Sequence, residues 1–128
     1  MREILFRGKR IDNGEWVYGS LYSVRDKAYI IEYNTGFPSA RYFEVDPSTV
    51  GQYTGLTDKN GKKIFDGDII LRRYVRPNFL VKYSEEDTEY QAIFFGGGCA
   101  SLYKYLSSKE SKVIGNIHDN PELLEEQS

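Results

Sequence analysis

The chain has 128 residues, a net charge of −2 and an isoelectric point near 5.5, so it carries no overall attraction for nucleic acid or anionic membranes. Hydrophobic residues make up 40% and charged residues 28%, a globular composition that excludes wholesale disorder. Aromatic residues reach 15%, mostly tyrosine and phenylalanine, which favours pleated strands over helices.

Cysteine content and hydropathy exclude two further classes. Cys99 is the only cysteine, so neither an internal disulfide nor a multi-cysteine metal centre can form. The apolar runs are far shorter than the roughly 20 residues of a membrane helix, and Met1 leads into REILFRG rather than into a secretory signal. We therefore expect a cytoplasmic protein with no membrane partner.

The first half of the chain predicts short strands joined by turns. The segments that contain Phe6 and Trp16 each alternate apolar and polar residues, and they flank the turn residues Asp12-Asn13-Gly14. This pattern indicates a hairpin. Further strands are predicted over residues 28–33 and 42–45. Asp46 can then accept backbone N–H groups and Pro47 suits a first helical position, which predicts a helical turn joining two halves.

The second half opens with GQYTGLTDKNGKKIFDGDII, residues 51–70, where Asn60-Gly61 predicts a hairpin and Asp66-Gly67-Asp68 a sharp bend. An acidic loop, Glu85-Glu86-Asp87, separates two later strands. Among the remaining segments, the run 90–95 is apolar on both faces and predicts a central strand. The other predicted elements are strands over 79–83, 102–106 and 113–117 and a helical turn in 118–126.

Three blocks stand in order along the chain: REILFRGKRIDNGEWVYGSL, DPSTVGQYTGLTDKNGKKIFDGDII and KVIGNIHDNPELL. In this order and spacing they resemble the YopX family of bacteriophages and prophages of Gram-positive bacteria. The resemblance implies an all-β protein whose C-terminal half is an SH3-type barrel and which forms homo-oligomers. With the predicted join, this gives a hairpin-rich part over residues 1–48 and a barrel over residues 49–128. The resemblance carries no catalytic residues.

The run after the second block could form a nucleic-acid site. If residues 70–76 are one strand, its period of two places Arg72, Tyr74 and Arg76 on one face. Basic groups beside an aromatic ring suit a surface that tracks a backbone and stacks bases. The alternative is that the acidic residues at 85–89 neutralise the arginines across a hairpin.

Other residues with catalytic or metal-binding chemistry have simpler structural explanations. Asp66 and Asp68 could hold a divalent cation, but aspartate beside glycine is also an ordinary turn residue. His118, the single histidine, and Cys99 lack a catalytic motif around them. Gly96-Gly97-Gly98 is not followed by the Lys-Ser/Thr of a phosphate loop. We expect no metal, no cofactor and no enzymatic activity.

The leading functional hypothesis is a phage- or prophage-encoded accessory protein in the host bacterial cell, acting by self-assembly and interaction with host or phage proteins. Exposed tyrosines and strand edges favour such association. The alternatives are a nucleic-acid-binding small barrel using Arg72, Tyr74 and Arg76, and a metal-dependent hydrolase using Asp66 and Asp68.

Overall fold

The computed structural model describes residues 3–33, 40–72, 75–94, 96–107 and 109–124, with the side chains of 33 and 75–77 outside the description. The chain divides into two compact units, Met1–Tyr53 and Thr54–Ser128. Eleven strands lie within the described ranges, all paired antiparallel where a register is given. The mainly β class predicted from composition is confirmed.

The first unit is built on one sheet in the order β4-β3-β2-β1-β5. Its strands are β1 Phe6–Lys9, β2 Trp16–Val24, β3 Lys27–Tyr33, β4 Ala40–Val45 and the first residues of β5 Gly51–Thr57. The predicted hairpin of β1 and β2 is confirmed: Lys9 pairs with Trp16, and Gly14 adopts the positive φ of 74° that the turn requires. The predicted helical turn is the 3-10 turn Pro47–Thr49, in which Asp46 Oδ1 accepts the N–H of Ser48 at 3.0 Å.

The sheet of the first unit curls round a small apolar core. Every second residue of its strands turns inward, and the buried members are Val17, Ala28, Ile30 and Val45. The curl brings the end of β1 to β4, because Arg10 forms a β-bridge with Val45. The Ile11 N–H donates to the Glu44 carbonyl at 3.1 Å, and the Asp46 N–H donates to the Lys9 carbonyl at 2.9 Å.

Close backbone approach explains a glycine in β2. A Cβ atom on Gly19 would collide with the backbone carbonyl of Ile31 on β3. We expect Gly19→Ala to destabilise the protein by about 1–3 kcal/mol, because the two strands must separate to relieve the overlap. Urea unfolding followed by Trp16 fluorescence checks this, with Ser20→Ala as the neighbouring control; an unchanged midpoint for Gly19→Ala would contradict the packing.

The second unit carries a five-stranded sheet in the order β10-β9-β8-β7-β11. Its further elements are β6 Lys63–Phe65, β7 Asp68–Arg72, β8 Val75–Ser84, β9 Glu89–Phe94, β10 Cys99–Ser101, helix α1 Leu102–Tyr105, β11 Ser111–Asn116 and the 3-10 turn Pro121–Leu124. The turns predicted at Asn60-Gly61 and Asp66-Gly67 are confirmed, with φ of 78° at Gly61 and 96° at Gly67. The assignment of this half as an SH3-type barrel stays a prediction.

Aromatic side chains fill the core of the second unit. Phe79 on the middle strand β8 is fully buried, and its ring centroid lies 5.1 Å from that of Tyr105 and 6.2 Å from that of Phe94. The rings meet edge to face, the arrangement that aromatic quadrupoles favour. The other buried apolar members are Ile64, Ile70, Val81, Ala92, Leu102 and Val113.

One prediction for the second unit is wrong. Residues 102–105 form helix α1 instead of a strand, because Leu102, Tyr105 and Leu106 recur at helical spacing on its buried side while Tyr103 is 82% exposed. The apolar run predicted as a central strand forms β9, which lies inside the sheet between β10 and β8; Phe95 at its end lies outside the described residues. The predicted C-terminal helical turn is confirmed, and Asn78 Nδ2 donates to its Leu123 carbonyl at 3.0 Å.

Asp58 ties the β5–β6 turn to β11. Its carboxylate is 4% exposed and accepts the N–H groups of Asn60 at 2.8 Å, Lys62 at 2.9 Å and Val113 at 3.0 Å. Burial acts to raise the pKa of Asp58, but these three N–H donors outweigh it and hold the pKa below its ordinary value of 3.8.

This depressed pKa predicts a pH-dependent contribution to stability. Because the folded value lies below the unfolded one, the contribution is complete above about pH 4 and is lost as the pH falls through the folded pKa. Asp58→Asn is expected to lower the free energy of unfolding by about 1–3 kcal/mol at pH 7. The side-chain amide has one acceptor oxygen where the carboxylate has two, so some of the three backbone N–H groups lose their acceptor. The difference from wild type should shrink in urea titrations below pH 4; a constant difference would contradict the assignment.

Candidate interaction surface

The outward side of β2 is unusually aromatic. Val17 and Leu21 point into the core, so the alternate positions Tyr18 and Tyr22 point out. Tyr18 is 45% exposed and Tyr22 51% exposed. Val24 at the end of the strand continues the same side and is also exposed. The outward side of β2 therefore presents several large side chains to solvent, where polar residues are usual.

The strand register continues this surface across β3 and β4. Tyr22 lies opposite Tyr29, and their ring centroids are 6.2 Å apart. In the next pairing, Ile31 lies opposite Tyr42, which is 66% exposed. We call this surface the aromatic face, and it consists of Tyr18, Tyr22, Val24, Tyr29, Ile31 and Tyr42.

Few charges interrupt the aromatic face. The register places Lys27 opposite Val24 and Glu44 opposite Tyr29, one cation and one anion on the same side of the sheet. On the adjoining β1, the Arg7 guanidinium lies 4.7 Å and the Lys9 ammonium 5.8 Å from the Trp16 ring centroid, so these cations cover the indole. The aromatic face is thus mainly apolar, with the positive charges of Arg7 and Lys9 on the adjoining β1, and its large apolar side chains suit a protein partner.

The run proposed for nucleic acid is not one strand. β7 ends at Arg72 and β8 begins at Val75, and Arg72 pairs antiparallel with Val75. The condition that residues 70–76 form one strand, which would align the three side chains, is therefore not met. Tyr74 lies outside the described residues, and so does the side chain of Arg76, whose backbone belongs to β8.

Arg72 itself is held by the second unit. Its Nη1 donates to the Tyr105 carbonyl at 2.9 Å, its guanidinium lies 5.3 Å from the Tyr105 ring centroid, and its Nε is 3.9 Å from Glu110 Oε2. The acidic loop at 85–89 does not neutralise it, because that loop joins the far end of β8 to β9. Two of its carboxylates instead accept from the amide of the buried Gln91. Nucleic-acid contact by Arg72, Tyr74 and Arg76 stays a prediction.

The two aspartates considered for metal binding are occupied by backbone donors. Asp66 Oδ2 accepts the N–H of Tyr83 at 3.0 Å, and Asp68 Oδ2 accepts the N–H of Phe65 at 2.8 Å. Asp68 is 2% exposed, so both carboxylates close the bend between β6 and β7. Within the described ranges, no three histidine, cysteine, aspartate or glutamate side chains gather as metal ligands. His118 and Cys99 are both exposed.

Sequence reasoning anticipated exposed tyrosines but did not name those of the aromatic face. The available signal was the alternation of Tyr18, Ser20 and Tyr22 with Val17, Gly19 and Leu21 in a single strand. The contribution of Tyr42 depends on the register between β3 and β4, which pairs residues far apart in the chain and has no local marker.

Comparison with known proteins agrees with this architecture. A crystal structure of protein EF1440 from Enterococcus faecalis is similar over 97% of this chain and 99% of that chain, with a TM-score of 0.53 and 24% identity. Among curated proteins, none matches the chain. No helix in the described part of the chain is long and apolar enough to cross a membrane. The profile of the YopX protein family matches residues 5–125, nearly the whole chain, and the chain therefore belongs to the YopX family.

Proposed function

We propose that this YopX-family chain is a non-enzymatic accessory protein that acts by self-association through its aromatic face. The observation that carries the proposal is the exposure of Tyr18, Tyr22 and Tyr42 on one continuous side of the first unit's sheet. Large exposed apolar patches on soluble proteins mark interaction sites. Tyrosine is also favoured there, because it buries much area with few rotatable bonds.

The composition of the face favours a second copy of the chain as the partner. Lys27 and Glu44 lie on neighbouring strands within one face, so a twofold axis between them brings each lysine to the glutamate of the other copy. The tyrosine rings of two copies then pack together between these ion pairs. Such an isologous contact needs no other protein and pairs both Lys27 and Glu44.

The cellular setting belongs to the same proposal. We propose a phage- or prophage-encoded protein in the cytoplasm of a bacterial host, in which the assembled form contacts host or phage proteins. Support comes from the family membership and from the absence of a membrane-crossing helix in the described ranges. Catalysis is not part of the proposal, since the described carboxylates of Asp58, Asp66 and Asp68 each hold backbone N–H groups.

Sedimentation velocity between about 1 and 200 μM tests the proposal. The expected result is a sedimentation coefficient that rises with concentration to that of a dimer or a larger closed oligomer. Raising the salt concentration should change the affinity little, because the contact is mainly apolar. A single monomeric species throughout this range would overturn self-association as the function.

A further inference from the structure

The edge of β4 carries an interrupted strand pairing. β4 is the outermost strand in the sheet order of the first unit. Arg10 and Ile11 begin to pair with it through the bridge to Val45 and the Ile11 N–H bond to the Glu44 carbonyl. The chain then leaves the edge, since the turn that places the Gly14 N–H on the Arg10 carbonyl leads back into β2. Pairing therefore stops after two residues.

The backbone direction on β4 shows which groups remain at the edge. The Glu44 carbonyl points away from β3, because its donor Ile11 lies outside the β3–β4 ladder. In an antiparallel ladder the direction alternates with a period of two, so the N–H and carbonyl groups of Tyr42 also point to the edge. No described strand pairs with β4 on that side beyond Glu44.

A cleft lies where the pairing stops. It has a volume of about 280 Å³ and is lined by Arg10, Ile11, Asp12, Tyr42, Phe43 and Glu44. Ile11 and Tyr42 are 57% and 66% exposed and provide apolar contact on the outer side. The volume is just below the roughly 300–1,000 Å³ of small-molecule pockets, and it lies along a strand edge.

The charges of the cleft favour a basic occupant. The Arg10 side chain is already used: its Nη2 lies 2.6 Å from Asp12 Oδ2, and its guanidinium lies 4.5 Å from the Phe43 ring centroid. Of the three charged side chains that line the cleft, this pair cancels two and leaves the carboxylate of Glu44. A lysine opposite Tyr42 could lay its stem on the tyrosine ring and reach Glu44, its diagonal neighbour.

We propose that this cleft binds an extended peptide segment with a central lysine between β-branched residues, which adds to β4 as an antiparallel strand. The peptide continues the row that Arg10 and Ile11 begin, and its lysine residue exchanges two backbone hydrogen bonds with Tyr42. This binding differs from the self-association proposed above, because its backbone bonds lie at the edge of the sheet, whereas self-association uses the outward side. The two share the side chains of Tyr42 and Glu44, so peptide binding and self-association are expected to compete.

The test is an NMR titration of ¹⁵N-labelled protein with the blocked peptide Val-Lys-Val-Thr. With its lysine opposite Tyr42, its first residue lies opposite Phe43 and leaves the position of Ile11 opposite Glu44 free of overlap. We expect saturable shifts confined to residues 10–12 and 40–44 and slower hydrogen exchange of the Tyr42 amide. N-methylation of the backbone nitrogen of the peptide lysine removes one backbone hydrogen bond to Tyr42. It should weaken binding about fivefold, the factor that corresponds to about 1 kcal/mol. Replacing the peptide lysine with glutamate should weaken binding further by repulsion from Glu44.

Variants of the protein complete the test. Tyr42→Pro removes the N–H that points to the edge and leaves the hydrogen bonds between β3 and β4 intact, so it should abolish the shifts. If this variant fails to fold, the N-methylated peptide provides the same comparison. Measured at a protein concentration where the wild type is monomeric, Tyr22→Ala, which impairs the aromatic face, should leave peptide affinity within twofold. Equal binding of the methylated and unmethylated peptides, shifts elsewhere on the protein, or no shifts at millimolar peptide would each overturn the proposal.

Discussion

Replacing Tyr22 with serine is expected to weaken self-association at least 30-fold. Tyr22 is 51% exposed and lies in the interior of the aromatic face, between Tyr18 on its own strand and Tyr29 on the next. An aromatic hot spot at the centre of an interface contributes about 2 kcal/mol or more, which equals roughly a 30-fold change in the dissociation constant. In a twofold dimer the residue occurs twice, so the loss can be greater.

Sedimentation velocity of the variant over the same concentration range as wild type measures this change. Tyr103→Ser is the matched control, because Tyr103 is 82% exposed but lies on α1 in the second unit. The Tyr22 variant should remain folded, since its ring loses only a tilted contact with Tyr29, worth about 0.5–1.5 kcal/mol. Equal weakening by both variants, or by neither, would be inconsistent with the aromatic face as the interface.

Phe79→Ala is expected to destabilise the protein by about 3–5 kcal/mol, the largest effect of any single substitution considered. Phe79 is fully buried on the middle strand of the five-stranded sheet and contacts the rings of Phe94 and Tyr105. Its removal leaves a cavity lined by side chains from β9 and α1, which cannot collapse without moving a helix. The cost therefore includes both lost burial and an unfilled void.

Urea unfolding followed by far-ultraviolet circular dichroism measures this loss. Tyr83→Ala is the control on the same strand, because Tyr83 is 41% exposed and should cost about 1.5 kcal/mol or less. Trp16 is the only tryptophan and lies in the first unit, so its fluorescence follows that unit separately. A Phe79 variant as stable as the Tyr83 variant would show that the core of the second unit is not centred on Phe79.

Features fixed by neighbouring residues could be predicted from the sequence. Asn13-Gly14 and Asn60-Gly61 mark turns because glycine accepts a positive φ, and both turns are present. Asp46-Pro47 marks a helical turn because the carboxylate caps the N–H of Ser48. These signals need no knowledge of the rest of the chain.

Other features depend on contacts that no local pattern shows. Residues 103–105 alternate apolar and polar side chains like a strand. Leu102 and Leu106 also lie four residues apart, the spacing of one helical turn, and the burial of these two side chains favours a helix. The pairing of Arg72 with Val75 could not be predicted either, because no glycine, proline or asparagine stands between them in the sequence. The cleft beside β4 exists because Arg10 meets Val45, a pairing of residues distant in sequence.

The aromatic face shows the same limit. Alternation within β2 was sufficient to place Tyr18 and Tyr22 on one side of a strand. Whether that side faces the core or the solvent depends on the curl of the whole sheet, which buries Val17 and Ile30 instead. The sequence could therefore predict a tyrosine-rich protein with exposed tyrosines, whereas the position of the aromatic face required the fold.

The most direct measurement of the central claim is an isotope-filtered NOE experiment on a mixture of ¹³C,¹⁵N-labelled and unlabelled protein at a concentration where it self-associates. If the aromatic face is the interface, intermolecular NOEs will join the rings of Tyr18, Tyr22 and Tyr42 to side chains of β2, β3 and β4 in the other copy. Intermolecular NOEs confined to other surfaces, with none from these rings, would contradict it.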